Sequence, residues 1–315
     1  MRPMLATPGP LPSVTEGPLT WAFEVKWDGM RILARTTEKG LRLTSRTGAD
    51  ATSRFPEVAA TTGLPPDTVL DGEIVAFDEQ GRPSFARLAP RIQGAPRGPG
   101  ERPVTYVVFD LLRLRGVDLV GRPYDERRAL LRESVVPSAH VLVPDAFDDG
   151  EALLASTAAQ GLEGVVAKRR SSPYRPGVRS PDWVKVAHRR THSFVIGGWK
   201  RGVESGRPLA SVLVGTPTAD DGLRYDGAVG SGFTEKVSTA LLAVLADTVR
   251  PTSPFEPSDA VPDALRDGIT WVEPLLVIDV EHLGRGGQGL LRAPSVARLR
   301  PDLTAADATG DGGES

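Results

Sequence analysis

The sequence has no cysteine and only six lysines, against 32 arginines. Without thiols there is no disulfide, no cysteine nucleophile and no thiolate-ligated metal. No apolar run approaches the roughly 20 residues of a membrane-spanning helix. The N-terminal Met1-Arg2-Pro3-Met4-Leu5-Ala6 lacks the apolar centre of a secretory signal. A cytoplasmic protein with no membrane partner is expected. An excess of charge of one sign is missing too, the net charge being −2. That total hides an asymmetry: residues 1–190 carry 27 basic and 23 acidic side chains, residues 191–315 carry 11 and 17. Neither part has the strongly basic footprint of a protein that grips long nucleic acid unaided. Any such contact must be local or assisted.

What is present describes a globular chain. A hydrophobic fraction of 40% and a charged fraction of 25% over 315 residues suit two ordinary domains. The first half reads as short strands at 21–27, 31–37, 41–47, 69–77, 104–112, 164–168 and 183–187, with Glu38-Lys39-Gly40 as a hairpin turn. Helices are expected at 84–91, 125–134 and 151–160. After about residue 190 the pattern becomes strands at 194–199, 210–215 and 223–229, a helix over 234–249 and a strand over 271–280. Short strands interrupted by one helix suggest a small closed barrel, and the OB-fold is the leading candidate. The Pro-rich stretches 95–100 and 251–267 read as surface loops, and the polar, Gly-rich 304–315 as a disordered tail. The expected class is α+β, with domains at 1–190 and 191–303. None of the four histidines forms a metal pair at helical spacing, so they read as ordinary residues.

The scarcity of lysine gives weight to Lys26, in Glu24-Val25-Lys26-Trp27-Asp28-Gly29-Met30-Arg31. A lysine can lose its proton and attack an electrophile, whereas arginine stays charged at any accessible pH. Asp28-Gly29 is a turn pair that would aim the Lys26 ammonium into a concave site, with Asp28 bracing the turn. Taken alone, Lys-x-Asp-Gly reads rather as a solvated lysine on a surface hairpin, because such tetrapeptides are common by chance. Glu73 and Glu163 flank apolar strand positions, where a carboxylate needs a partner. Lys168, Lys185 and Arg31 could lower the Lys26 pKa and stabilise charge on phosphate oxygens.

Six segments follow in order: Lys26-Trp27-Asp28-Gly29-Met30-Arg31, Ser45-Arg46-Thr47-Gly48, Leu70-Asp71-Gly72-Glu73, Tyr106-Val107-Val108-Phe109-Asp110, Glu163-Gly164-Val165-Val166-Ala167-Lys168 and Trp183-Val184-Lys185. In these the chain resembles the covalent nucleotidyltransferases, namely ATP-dependent DNA ligases and mRNA capping enzymes. It is most like the ligase module of bacterial end-joining ligases and their stand-alone relatives. The resemblance implies an antiparallel-sheet nucleotidyltransferase (ATP-grasp-like ligase) domain followed by an OB-fold β-barrel. It implies ATP as the nucleotide, Mg²⁺ or Mn²⁺ as the metal, and sealing of nicked double-stranded DNA in repair or end joining through a lysyl-AMP on Lys26. By the same resemblance Glu24 reads the base edge and Phe109 faces the adenine. Arg46 binds the ribose or the 5′-phosphate of a nick. Glu73 reaches the ribose or a metal-bound water, Glu163 helps hold the metal, and Trp183 packs rather than stacks on a base.

Two positions depart from the family pattern. A second lysine usually follows two residues after Lys185, where this chain has Ala187, and the Arg-x-Asp-Lys that closes over the triphosphate appears as Arg300-Pro301-Asp302-Leu303. These changes leave open a degenerate homologue that binds nucleotide or nicked DNA without efficient sealing. An RNA ligase or capping-type enzyme is a further alternative. With no room before Lys26 for the DNA-binding domain of larger ligases, a monomer is expected that binds intact duplex feebly. A partner such as bacterial Ku would recruit it to DNA in the nucleoid.

Overall fold

The computed structural model describes residues 1–13, 20–94, 98, 103–202, 208–219, 222–257, 259–286 and 288–311. Apart from Gly98, the expected loop at 95–100 lies outside them, as do residues 312–315 of the expected tail. The chain forms two compact units, Met1–His188 and Arg189–Ser315.

The first unit begins with strands β1 (Leu5–Pro8), β2 (Trp21–Val25), β3 (Met30–Thr37) and β4 (Gly40–Ser45), the short helix α1 (Pro56–Ala59) and β5 (Val69–Val75). It continues through α2 (Phe85–Ile92), β6 (Thr105–Leu114), β7 (Val117–Asp118), α3 (Tyr124–Ser134), β8 (Val141–Leu142), α4 (Gly150–Ala159), β9 (Gly164–Arg169) and β10 (Arg179–Ala187). One sheet has the order β1-β10-β9-β2, and a second has β4-β3-β5-β6-β7 with β8 beside β6. Most pairs are antiparallel, as expected. The exceptions are β1 on β10 and β8 on β6, which are parallel. Strand β1 was not anticipated: only four residues long, it shows too little alternation to register.

Alternation along β9 sorts its residues. Val165 and Ala167 point to one side, where with Trp21, Phe23 and Leu153 they make a small core beneath α4. Val166 and Lys168 therefore point to the other. The register sets Trp183, Lys168 and Ala22 in one row and Lys185, Val166 and Glu24 in the next. The second sheet buries Ile32, Leu43, Leu70, Ile74 and Val108 against Leu88 of α2 and Leu131 of α3. On its other face Leu33, Phe109 and Leu112 meet Met4, Tyr174 and Trp183. Residues from both sheets line one cavity, among them Glu24, Lys168 and Trp183 from the first and Arg31, Glu73 and Phe109 from the second.

The second unit contains β11 (Arg190–Arg201), β12 (Leu209–Pro217), β13 (Leu223–Val229), α5 (Glu235–Ala246), α6 (Asp263–Arg266), β14 (Ile269–Trp271), β15 (Val277–His282) and β16 (Ser295–Leu299). Its sheet has the order β13-β12-β11-β15-β16, with β14 also on β11, and every pair is antiparallel. Leu241 and Leu245 of α5 pack into the core with Phe194, Ile196, Val212, Val214 and Val280. This is the small OB-type barrel that the sequence pattern implied. The strand expected over 271–280 is divided into β14 and β15, with Pro274, which has no N–H for a ladder, in the gap. The stretch 251–267 is less of a surface loop than expected, since it contains α6 and the buried Phe255 and Val261.

The disordered tail is corrected for residues 304–311. Thr304 and Asp307 close a capping box over the short helix Ala305–Asp307, Ala308 is buried, Gly310 N donates to Ser193 O, and Asp311 pairs with Arg285. Composition signalled a polar tail, but the anchors are specific side chains and one buried alanine.

Candidate active site

Lys26 directly follows β2, and its backbone N–H donates to Gly164 O at 2.8 Å, tying it to the start of β9. Two glycines allow this approach. A Cβ at Gly29 would stand 2.1 Å from Ile74 O, and Gly164, at φ +137°, approaches Val186 O equally closely. The turn after Lys26 thus folds onto β5, and the side chain enters a cavity of about 200 Å³.

The cavity gathers most of the residues singled out in the sequence. Glu24, Lys26, Arg31, Arg46, Glu73, Phe109, Lys168 and Lys185 all line it, together with Trp183. Glu163 is not part of the lining but reaches it by pairing with the Lys26 ammonium. Sequence reasoning missed Leu5, Ala6, Trp27, Val166 and Arg179. Of these, Val166 was discoverable, since it alternates with the buried Val165 and Ala167 and precedes Lys168 by two.

Phe109 faces away from Tyr106 and Val108 by strand alternation. A bulge lies at the same place: Asp71 pairs with Asp110 and Gly72 with Val108, leaving Phe109 as the extra residue between them on β6. The Phe109 ring has the Arg31 guanidinium carbon 4.5 Å and the Lys168 Nζ 4.4 Å from its centroid, and meets Trp183 edge-on at 6.4 Å. Trp183 is 1% exposed and also touches Tyr174, a packing position as expected.

The cations divide into two groups. Arg31 donates from Nε and Nη2 to the two oxygens of the buried Asp71, at 2.6 and 2.7 Å. Burial opposes its charge, but Asp71 more than compensates and holds the guanidinium pKa above its ordinary value. Lys168, 2% exposed, donates to Glu24 Oε2 at 2.7 Å and to Phe109 O at 3.3 Å. Arg31 and Lys168, expected among the cations near Lys26, are thus already engaged by carboxylates. Each has a carboxylate partner and an aromatic face, because a charge this buried requires both counter-charge and hydrogen bonds.

Lys26, Lys185, Arg46 and Arg179 form the other group at the cavity. Partial burial, then the charges of Lys26 and Arg179, lower the Lys185 pKa, with Glu163 opposing. Glu73 is pushed up to about 8, chiefly by burial, against the pull of Arg31 and Lys26. A carboxyl that protonates near neutrality beside a lysine is a mark of a reactive pocket. Ala187 is not part of the lining. Within the second unit, Arg300 pairs with Asp302 and with Asp279, while Leu303 packs into the cluster of Val195, Leu213 and Phe255.

The histidines stay outside the cavity: His188 Nε2 lies 2.8 Å from Thr157 Oγ1, and His192 and His282 contact each other. Among the described residues no group of three or more His, Cys, Asp or Glu could hold a metal by itself, and no helix is long and apolar enough to cross a membrane.

This combination of a lysine paired with a carboxylate, an aromatic ring and several cations around one cavity matches the pattern of the covalent nucleotidyltransferases. The family model "ATP dependent DNA ligase domain" matches residues 3–187, and "ATP dependent DNA ligase C terminal region" matches 205–303. The chain belongs to the ATP-dependent DNA ligases. It is 40% identical over 309 residues to the multifunctional non-homologous end joining protein LigD of Mycobacterium bovis, covering 96% of this chain and 39% of that protein. It is 33% identical to a probable DNA ligase of Streptomyces avermitilis, over 91% of this chain and 57% of the other. A solved mycobacterial DNA ligase D complexed with ATP and MES is 36% identical, covers 98% of this chain and 97% of its own, and superposes with a TM-score of 0.55. The chain thus spans well under half of the M. bovis protein.

Proposed function

We propose that this chain seals nicks in double-stranded DNA at the expense of ATP. The observation that carries the reading is Lys26, the one lysine of the first motif, paired with Glu163 in a cavity whose inner end is built from Glu24, Lys168 and Phe109. In the first step Lys26 Nζ forms a bond to the α-phosphorus of ATP and diphosphate leaves. The 5′-phosphate at a nick then takes the AMP, freeing Lys26. Finally the 3′-hydroxyl attacks that phosphate, the phosphodiester bond forms and AMP departs.

The side chains fit these needs. Phe109 and Val166 offer apolar surface to a base, and Glu24 offers an acceptor for its edge. Lys185, Arg46 and Arg179 supply positive charge for phosphates, where fixed electrostatics does most of the work of phosphoryl transfer. Glu73 and Glu163 suit a Mg²⁺ or Mn²⁺ ion, since such ions take one or two carboxylates and complete their shell with substrate phosphates and water. Bound there, the ion would neutralise charge on the phosphates. The modest charge of the chain favours recruitment to DNA by an end-binding protein such as Ku over unaided grip on the duplex, and we read the working form as a cytoplasmic monomer.

One gel tests the sequence of steps. Protein incubated with α-phosphate-labelled ATP and the metal should acquire label, and nicked DNA should then discharge it and be sealed. Lys26→Ala should do neither. An adduct formed with labelled GTP in preference to ATP would overturn the reading in favour of a capping-type enzyme.

A further inference from the structure

Tyr124 belongs to none of the recognised motifs and is not part of the cavity lining, yet its hydroxyl holds Glu24, which is. Tyr124 is the first residue of α3, and it donates to Glu24 Oε1 at 2.5 Å. Lys168 takes the other oxygen at 2.7 Å. Arg128, one turn along the same helix, stands 3.8 Å from Oε1. Glu24 is 2% exposed and Tyr124 1%, so water does not compete for these contacts. Burial, then the adjacent Glu24 charge, hold the Tyr124 hydroxyl well above its ordinary pKa, so it remains a donor.

The consequence concerns what Glu24 can offer a ligand. One oxygen receives a hydroxyl proton and the other an ammonium proton, so its remaining lone pairs can only accept. With both oxygens tied, the plane of the carboxylate is fixed as well. Resting on the reading of the cavity as a nucleoside triphosphate site, we propose that Tyr124 is a positioning residue that sets base selectivity, by holding Glu24 as an acceptor for an exocyclic amino group. A purine with a 6-amino group meets this acceptor with a donor. A purine with a 6-carbonyl opposes acceptor to acceptor, an unpaired arrangement that a buried site penalises.

The test uses Tyr124→Phe, which keeps the ring and its packing and removes only the donor. Rates of adduct formation on the full chain are measured over a range of concentrations with ATP, GTP and purine riboside triphosphate, which lacks the 6-amino group. The unaltered protein should favour ATP over the purine analogue by tenfold or more, the order expected for one hydrogen bond to a charged group. In Tyr124→Phe that preference should fall about tenfold through KM, with the maximal rate kept, and GTP should gain relative to ATP. Equal losses with ATP and the analogue would show a merely structural role, and an unchanged preference would show none; either overturns the proposal. Equilibrium binding of the same nucleotides to Lys26→Ala, with and without Tyr124→Phe, needs no covalent step. A Tyr124-dependent preference in binding without any adduct in the unaltered protein would uphold the positioning role and sink the ligase reading. An adduct whose selectivity ignores Tyr124 would do the reverse.

Discussion

Glu163 closes an ion pair on the Lys26 ammonium, so the amine proposed to attack phosphorus rests against a carboxylate from the segment that also leads into β9. Removing that negative charge while keeping the shape, as in Glu163→Gln, should slow lysyl-AMP formation by roughly ten- to hundredfold, the equivalent of one charge-assisted hydrogen bond. Rapid-quench measurement with labelled ATP checks this. An unaltered rate would make the pair incidental to the chemistry.

Glu73 gives the fold a pH dependence of definite sign. Its ordinary carboxyl value is 4.5 and burial raises it to about 8 in the folded chain. The folded state therefore keeps a proton that the unfolded chain releases. The stability from this group is complete below pH 4.5 and declines as pH rises through about 8. Denaturant melts at pH 5.5, 7 and 8.5 should show a fall of roughly 2–4 kcal/mol across the series, with Glu73→Gln flatter. A wild-type curve as flat as that of the variant would refute the shift.

Asp71 is fully buried and receives both guanidinium bonds of Arg31 together with the Tyr174 hydroxyl, the last at 2.5 Å. Tyr174 in turn accepts from Met4 N at 2.9 Å, so the pair also fixes the N-terminal strand that walls the cavity. Asp71→Asn leaves a buried guanidinium without its counter-charge and should cost about 3–5 kcal/mol. The midpoint of urea unfolding measures it, and a loss below about 1 kcal/mol would contradict the arrangement.

Ala187 shares the face of Lys185 on β10, two residues along, and stands opposite Gly164 across the sheet. A lysine there would add a cation on the side of β10 that carries Lys185. Ala187→Lys should therefore accelerate lysyl-AMP formation by about tenfold. If the rate does not rise, Arg46, Arg179 and Lys185 already meet the need, and the family lysine is dispensable in this chain.

The strands and the motif residues were legible because they rest on local rules. Apolar runs marked the strand that carries Lys168, and Asp28-Gly29 placed the turn after Lys26. What the sequence could not show is how side chains 40 to 144 residues apart would pair. Nothing local joins Glu24 to Tyr124 and Lys168, or Arg31 to Asp71. The bulge at Phe109 was equally hidden, because register belongs to the sheet and not to either strand. The tail escaped notice for the opposite reason: its composition is polar, and its attachment depends on Ala308, Gly310 and Asp311 each meeting one partner.

Three of the six lysines, Lys26, Lys168 and Lys185, lie at one cavity, and Lys168 is almost wholly enclosed. A reagent that acylates primary amines would thus find as many lysines at this one cavity as in the rest of the sequence, where only Lys39, Lys200 and Lys236 remain. Acylation mapped by mass spectrometry would read occupancy directly, with Lys26 and Lys185 shielded when nucleotide is bound and Lys39 and Lys200 serving as internal standards.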